Sequence, residues 1–233
     1  MSGLAERQLG WKIAEEFLAE ALGEPVETIL KGAWPNEAFP DLVGRWTEQY
    51  RPDVVVIQVN NFWYGYESIP LWLERRLGLV GRRLGQSGMM VGNTPWFADS
   101  RLGQVINRTM LRLLPGETHF TVPDVARCME LTIRRVLSHE GTALVVRGND
   151  DWPAFPMATK SFNRRNALRN EQMSGAMQEM CRRLHVNYVQ LPPVDPRELK
   201  LILNSARWHY NEHGERRSGE LDGRAMLEAV KAT

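Results

Sequence analysis

Residues 52–61, PDVVVIQVNN, carry the strongest structural signal in the chain. A nearly continuous run of β-branched residues extends from Val54 to Val59, and two polar residues, Asn60 and Asn61, follow it. A strand that is covered by helices on both faces is apolar at consecutive positions rather than at alternate ones. The run therefore predicts a buried, central strand of a parallel sheet that ends at the two asparagines.

Helical and strand patterns alternate along the rest of the chain. Apolar spacing predicts helices at 5–22, 40–51, 123–141, 166–185 and 211–232, and further strands at 26–33, 142–149 and 187–193. This order is typical of an α/β fold, and we expect a three-layer sandwich with a mostly parallel sheet in the middle. Because no linker rich in proline or glycine divides the chain, we expect a single domain over residues 1–233.

The composition excludes several classes of protein. With 29 basic and 28 acidic residues the net charge is +1, so no overall field attracts nucleic acid or an anionic membrane. No apolar stretch approaches the roughly 20 residues that a membrane span requires, and no signal peptide is visible at the N-terminus. Cys128 and Cys181 are predicted to be free, mostly buried thiols, which fits a reducing compartment. We therefore expect a cytoplasmic protein.

Ligands of an open parallel sheet bind outside the carboxyl ends of its strands, so the residues that follow each strand are candidate site residues. Asn60 and Asn61 follow one predicted strand, and Gly32 and Trp34 follow or end another. The alternative for the asparagines is an ordinary strand end and turn, and for the glycine an ordinary turn. No phosphate-binding glycine motif follows any strand, which disfavours a nucleotide site and a nucleotide-dependent transferase.

A second motif, RWHYNEHGERR at 207–217, places His209 before the last predicted helix. Its imidazole could serve as a general base, or it could be a solvated loop residue. His213 lies four residues further on, but no carboxylate or cysteine cluster completes a metal site, so we expect no metal. The aromatic residues Trp34 and Trp63 could line a substrate pocket, although such residues more often belong to the core.

Four arginines, at positions 75, 76, 82 and 83, stand in the basic apolar segment LWLERRLGLVGRRLG. They could form a basic patch for an anionic partner. The alternative, and the more common case, is a solvated helix face.

The segment RPDVVVIQVNN resembles the third sequence block of the SGNH, or GDSL-type, hydrolases. In that family a buried strand ends in Gly-x-Asn-Asp, and the asparagine side chain donates to the oxyanion. Asn60 matches the asparagine, whereas Gln58 and Asn61 replace the glycine and the aspartate. By the same resemblance Gly32 corresponds to the glycine of the second block, whose backbone N–H also faces the oxyanion.

The segment HYNEHG resembles the fifth block of the family. His209, Asn211 and Gly214 fit its pattern of histidine, asparagine and glycine. The aspartate that orients the histidine in the family falls at Ala206, so this chain lacks it there. Asp195 lies too far upstream to be given that role, and a serine–histidine dyad is an alternative.

The resemblance implies a flavodoxin-like SGNH-hydrolase fold and the hydrolysis of a small acyl, lipid or acylated-sugar ester. In a serine–histidine mechanism His209 would be the base, with Asn60 and Gly32 as oxyanion donors and Asn61 beside them. Trp34 and Trp63 would line the substrate pocket. The family needs no metal or organic cofactor, and the expected partner is a small-molecule ester.

The first sequence block of the family, a strand followed by the nucleophilic serine, has no counterpart in this sequence. The run SGLAERQLGW at 2–11 resembles the segment that follows the serine, and Ser2 stands three positions too late. We therefore expect an N-terminally truncated SGNH-type hydrolase that lacks its first strand and is inactive as it stands. The alternative is a catalytically inactive SGNH-like binding module. The sequence fixes neither the acyl specificity nor the oligomeric state.

Overall fold

The computed structural model describes residues 4–92, 100, 103, 105–106, 109, 116–148, 159–190, 199–202 and 210–232. After a 3-10 turn at Glu6–Gln8, the helices in these ranges are α1 (Gly10–Leu22), α2 (Phe39–Tyr50), α3 (Asn61–Tyr64), α4 (Ile69–Gly92), α5 (Val122–Leu137), α6 (Lys160–Leu184), α7 (Leu199–Ile202) and α8 (Glu212–Ala232). The strands are β1 (Val54–Gln58), β2 (Ala143–Arg147) and β3 (Asn187–Val189).

The three strands form one parallel sheet in the order β1–β2–β3. Val54 pairs with Ala143, and Val145 pairs with Asn187. All five residues of β2 are buried, and successive residues of a strand point to opposite faces, so both faces of the central strand are covered. The prediction of an α/β protein with a parallel sheet is confirmed.

The prediction that the run at 54–59 is the buried central strand is wrong for the described residues, where β2 lies between β1 and β3 and Val54, Val55 and Val56 are half-buried. A β-branched composition favours a strand but does not determine how many strands pair with it.

β1 has one unpaired edge within the described part of the chain. Asp53 O accepts a hydrogen bond from Ala143 N at 2.8 Å, and Val59 N donates to Arg147 O at 2.9 Å. Successive residues of a strand point their N–H and C=O groups to opposite sides. Those of the odd-numbered residues 53–59 therefore point toward β2. The N–H and C=O groups of the even-numbered residues 54, 56 and 58 therefore point away from the sheet.

The strand predicted at 26–33 is wrong. Residues 25–34 have no regular secondary structure, and the side chains of Ile29 and Leu30 are 45% and 60% exposed. A strand needs a neighbour to complete its hydrogen-bond ladder, and the described residues provide none beside this segment. The apolar pattern of residues 26–33 does not show whether another strand lies beside them.

Helix ends follow their capping residues. α1 ends at Leu22 as predicted, because Gly23 adopts the left-handed conformation (φ 73°) that glycine tolerates without a Cβ clash. α6 begins at Lys160, six residues before the predicted start at 166. The hydroxyl of Thr159 accepts a hydrogen bond from the backbone N–H of Phe162 at 3.2 Å, which is the contact of a helix N-cap.

α8 packs on the sheet and closely against α1. A Cβ atom at Gly219 would lie 2.3 Å from the carbonyl oxygen of Gly10, and one at Gly223 would lie 2.7 Å from the ring of Phe17. The backbone N–H of Gly10 also donates to the Glu215 carboxylate at 2.7 Å. The two helices approach so closely because α8 carries glycine where they touch.

α4 reverses direction at Gly78, whose backbone is not helical (φ 57°, ψ −133°). A Cβ atom at Gly81 would lie 2.0 Å from the carbonyl oxygen of Leu73, and one at Gly85 would lie 2.9 Å from Pro70 Cβ. In a straight helix residues eight and fifteen positions apart would be about 12 and 22 Å apart. The second half of α4 therefore folds back on the first as a helical hairpin.

Contacts divide the chain into two compact units. Unit 1 consists of Met1–Asn60, Pro123–Pro153 and Met173–Thr233, and unit 2 of Asn61–Val122 and Ala154–Gln172. Unit 1 contains the sheet, and unit 2 contains α3 and α4. The single domain expected over 1–233 stays a prediction. In the part of the chain that the structure describes, no helix has the length and apolar content needed to cross a bilayer.

The contact between α1 and α8 predicts a stability difference between two glycine-to-alanine variants. Gly219→Ala should destabilise the protein by about 1–3 kcal/mol, because the new methyl group must displace the backbone of α1. The matched variant is Gly175→Ala in α6, where a Cβ atom would meet nothing within 4 Å. It should stabilise the protein by about 0.5–1 kcal/mol through helix propensity. Urea denaturation of both variants tests the prediction, and equal effects would contradict it.

Candidate functional site

The carboxyl ends of the three strands lie at one edge of the sheet in unit 1. Asn60 stands two residues after β1, and Gly148 and Gln190 directly follow β2 and β3. Because the strands are parallel, these positions share the edge at which ligands of such sheets bind. This edge is the candidate functional site.

A cluster of hydroxyl and amide groups lies at the β2–β3 side of this edge. Ser174 Oγ donates to Gln190 Oε1 at 2.8 Å and lies 3.4 Å from the hydroxyl of Tyr188. A Cβ atom at Gly148 would be only 2.2 Å from that hydroxyl. Glycine at position 148 therefore makes the room that Tyr188 needs to place its hydroxyl beside the strand end.

Arg147, the last residue of β2, is 3% exposed. Its Nη2 donates to Ser218 Oγ at 3.0 Å, and its Nε lies 2.8 Å from Asp222 Oδ1. Both partners belong to α8. A buried charge is tolerated only when it is paired and hydrogen-bonded, so this contact fixes α8 against the carboxyl end of the central strand.

Burial raises the pKa of Asp222 to about 6. The positive charge of Arg147 acts in the opposite direction, and the negative charge of Glu215 adds to the increase. The carboxyl group therefore changes its charge close to neutral pH, next to the strand end.

Three predicted site residues, Asn60, Gly32 and Trp34, lie in the described part of unit 1. Asn60 is half-buried at the carboxyl edge of the sheet. Gly32 and Trp34 are exposed and lie in the segment without regular secondary structure, so the strand that was to precede Gly32 is absent. His209 lies outside the described residues. The catalytic and binding roles of all four stay predictions.

The two other predicted site residues, Asn61 and Trp63, belong to unit 2. Asn61 is buried at the start of α3, and its Nδ2 donates to Asn170 Oδ1 at 2.5 Å. Trp63 is half-buried, and its carbonyl oxygen accepts a hydrogen bond from Phe120 N at 2.9 Å. Neighbouring asparagines of the sequence thus have different surroundings, and the roles of Asn61 and Trp63 also stay predictions.

Asn61 is part of a buried polar cluster in unit 2. Asn166 and Asn170 of α6 are also buried. A Cβ atom at Gly65 would lie 2.2 Å from Asn61 Oδ1 and 2.5 Å from Asn166 Oδ1. The turn after α3 therefore requires glycine. Among the described residues Asn166 Oδ1 and Asn170 Nδ2 have no hydrogen-bond partner, which lowers the stability of this region.

Glu67 lies beside this cluster and is buried. Arg165 binds its two carboxylate oxygens at 2.8 and 2.7 Å, and Arg169 binds one of them at 2.9 Å. Burial opposes the ionisation of Glu67, but the hydrogen bonds and charges of the two arginines outweigh it and hold its pKa below the usual range. The contact with Arg165 is bidentate, a geometry that strengthens an ion pair between arginine and a carboxylate.

Two further features limit the chemistry available. Burial raises the pKa of both free thiols, Cys128 and Cys181, to about 11, so neither is a nucleophile at neutral pH. The prediction of free, buried thiols is confirmed. No group of three or more His, Cys, Asp or Glu side chains that could hold a metal ion is found among the residues the structure describes.

Sequence reasoning missed Arg147 and Asp222. The signal was present in the strand pattern TALVVRGN, because an arginine at the end of a fully apolar run must find an acid or leave the core. The acidic partner of Arg147 could not be predicted, because it lies in the last helix and residue spacing does not identify it.

The raised pKa of Asp222 predicts how the free energy of unfolding depends on pH. The protonated form is favoured in the folded state, so this contribution to stability is complete below pH 3.8 and is lost as pH rises through about 6. Relative to Asp222→Asn, the protein should lose on the order of 2–3 kcal/mol between pH 4 and pH 7. Urea denaturation at several pH values measures this difference. A difference that instead grows with pH would show that Arg147 dominates the pKa.

The contact of Glu67 predicts a large effect of Glu67→Ala. The substitution removes the acid from Arg165, which is exposed, and from Arg169, which is half-buried, and should cost about 2 kcal/mol of stability through the loss of three charge-assisted hydrogen bonds. The matched variant is Glu117→Ala, which removes the acid of a more exposed pair with Arg75 (2.7 Å) and should cost less than about 1 kcal/mol. Chemical denaturation compares the two. Similar losses would show that the Glu67 contact adds nothing beyond a surface pair.

Comparisons with family models, with curated proteins and with solved structures found no match for this chain. A functional assignment therefore has to be argued from the geometry of the carboxyl edge and from the sequence motifs.

Proposed function

We propose that the carboxyl edge of the sheet is the ester-binding site of an SGNH-type serine hydrolase. The substrate is a small acyl, lipid or acylated-sugar ester. The observation that carries the proposal is the position of Asn60, which follows the edge strand of a parallel sheet by two residues. An amide donor at this point of the sheet is what the resemblance requires, and the parallel order β1–β2–β3 is compatible with the fold it implies.

The proposed reaction divides the work among three groups. A serine hydroxyl attacks the ester carbonyl carbon, and the imidazole of His209 takes the serine proton and returns it to the departing alcohol. Asn60 donates its amide N–H to the oxygen that becomes negative in the tetrahedral intermediate. Water then hydrolyses the acyl-serine bond by the same route, and no metal or organic cofactor takes part.

The unpaired edge of β1 supports a specific position for the nucleophile. The peptide groups of residues 54, 56 and 58 point outward along this edge, where a further parallel strand could pair with them. A serine at the carboxyl end of such a strand would stand beside Asn60. In the proposal, therefore, the strand that carries the serine binds to β1 and completes the site.

The test compares the chain as it stands with a version extended by the in-frame codons upstream of Met1. Only the extended protein should hydrolyse p-nitrophenyl acetate by a serine-dependent route. In it His209→Ala should abolish turnover, and Asn60→Ala should lower kcat about 10²–10³-fold through loss of the oxyanion donor. The matched control is Asn187→Ala, which removes an asparagine at the start of β3 and should leave kcat unchanged.

Turnover by the short chain that survives His209→Ala would contradict the proposal. If the extended protein is inactive but binds a phosphonate ester analogue with an affinity that depends on Asn60, the inactive binding module replaces the hydrolase.

A further inference from the structure

The hairpin of α4 presents large apolar side chains to solvent. Leu77, Leu79, Val80 and Leu84 are 52%, 77%, 64% and 56% exposed. Isolated exposed leucines are common on protein surfaces, but here four large apolar side chains are exposed within eight residues, and clusters of this kind mark interaction sites. These residues belong to unit 2, whereas the sheet belongs to unit 1.

The direction of this cluster follows from the glycines of the hairpin. Gly81 and Gly85 face the first half of α4. At 100° per residue, Leu79, Val80 and Leu84 occupy an arc of about 140° on the opposite side of the second half. The side chains of Leu79, Val80 and Leu84 therefore point away from the first half of α4.

Arginines are interleaved with the apolar residues. Arg83 falls inside the apolar arc, and Arg76 and Arg82 are exposed nearby. Arg82 and Arg83 have no ion-pair partner in the described ranges, whereas Arg75 is paired with Glu117 at 2.7 Å. Glu74 is the one acidic residue of α4, so the segment carries a clear positive charge in a protein whose net charge is only +1.

We infer that this arginine–leucine face, formed by residues 76–84, docks on the surface of an anionic phospholipid bilayer. Leucine and valine enter the boundary between headgroups and acyl chains, while arginine extends its long side chain to the lipid phosphates. A nucleic acid would use the arginines but would leave the apolar cluster in water. The mixture of both kinds of side chain within one arc is the composition of an interfacial helix.

The inference concerns binding to a membrane surface and not a membrane span. It is also independent of the proposed ester hydrolysis, because its test measures association with lipid and no turnover. A negative result for membrane binding therefore does not contradict the proposed ester hydrolysis, and the reverse also holds.

The test is co-sedimentation of the full chain with phosphatidylcholine vesicles, with and without phosphatidylserine. The protein should bind only the vesicles that contain phosphatidylserine, and added salt should weaken the binding. Arg82→Gln combined with Arg83→Gln should lower the partition coefficient roughly 25-fold, at about 5-fold per charge. Leu79→Gln combined with Leu84→Gln should lower it by at least about 10-fold.

Matched controls distinguish this face from general surface charge or hydrophobicity. Arg45→Gln with Arg127→Gln removes two exposed arginines from α2 and α5, and Leu131→Gln with Leu137→Gln removes two exposed leucines from α5. Both control variants should bind vesicles as the unchanged protein does.

A second measurement does not depend on the stability of the double variants. An environment-sensitive dye attached at Leu84→Cys should shift to the blue with anionic vesicles, and the same dye at Leu131→Cys should not. Absence of binding to anionic vesicles, or an equal loss in the arginine control, would overturn the inference. Self-association in analytical ultracentrifugation that Leu79→Gln with Leu84→Gln abolishes would assign the face to a second copy of the chain instead.

Discussion

The buried guanidinium of Arg147 is the constraint on which the architecture of unit 1 depends. It ends the central strand, and because water cannot reach it, α8 must supply Ser218 and Asp222 at hydrogen-bonding distance. This fixes the position of α8 over the sheet. α8 then determines the position of α1, since the two helices meet where Gly219 leaves room for the backbone of Gly10. The buried charge of Arg147 thus determines where α8 packs, and through α8 where α1 packs.

The pKa values of Asp222 and Glu67 shift in opposite directions, although both groups lose contact with water for the same reason. Each loses solvation on burial, and the outcome depends on how many donors replace the water. Asp222 faces a single arginine and the unfavourable charge of Glu215, so burial prevails. Glu67 accepts three hydrogen bonds from two arginines, so ionisation prevails. Its contribution to stability is present above pH 4.5 and is lost in acid, where Asp222 contributes most.

Local sequence patterns predicted most of the helices and strands. The features that depend on contacts between distant residues could not be predicted from those patterns. The valine run that begins at 54 forms a strand because β-branched residues favour an extended backbone, and Gly23 ends α1 because only the backbone of glycine suits that turn. The place of that strand in the sheet depends on long-range pairing, which its composition does not determine. The segment 26–33 has the same local character as a strand, but the described ranges contain no strand that pairs with it. Arg147 and its partner Ser218 are 71 positions apart, a separation over which helical or strand periodicity carries no information. The reversal of α4 at Gly78 is likewise set by glycine contacts eight and fifteen residues apart.

The edge of β1 that is unpaired among the described residues connects stability with the proposed chemistry. An apolar strand with outward-facing peptide groups recruits other strands unless charge, proline or a covering element protects it. β1 has valine at 54 and 56, the positions whose peptide groups point outward, and only Gln58 among them is polar. Such an edge is suited to pairing and not to solvent. In the proposed hydrolase the strand that satisfies this edge also brings the serine to Asn60, so the same hydrogen-bond ladder that completes the sheet would assemble the catalytic groups.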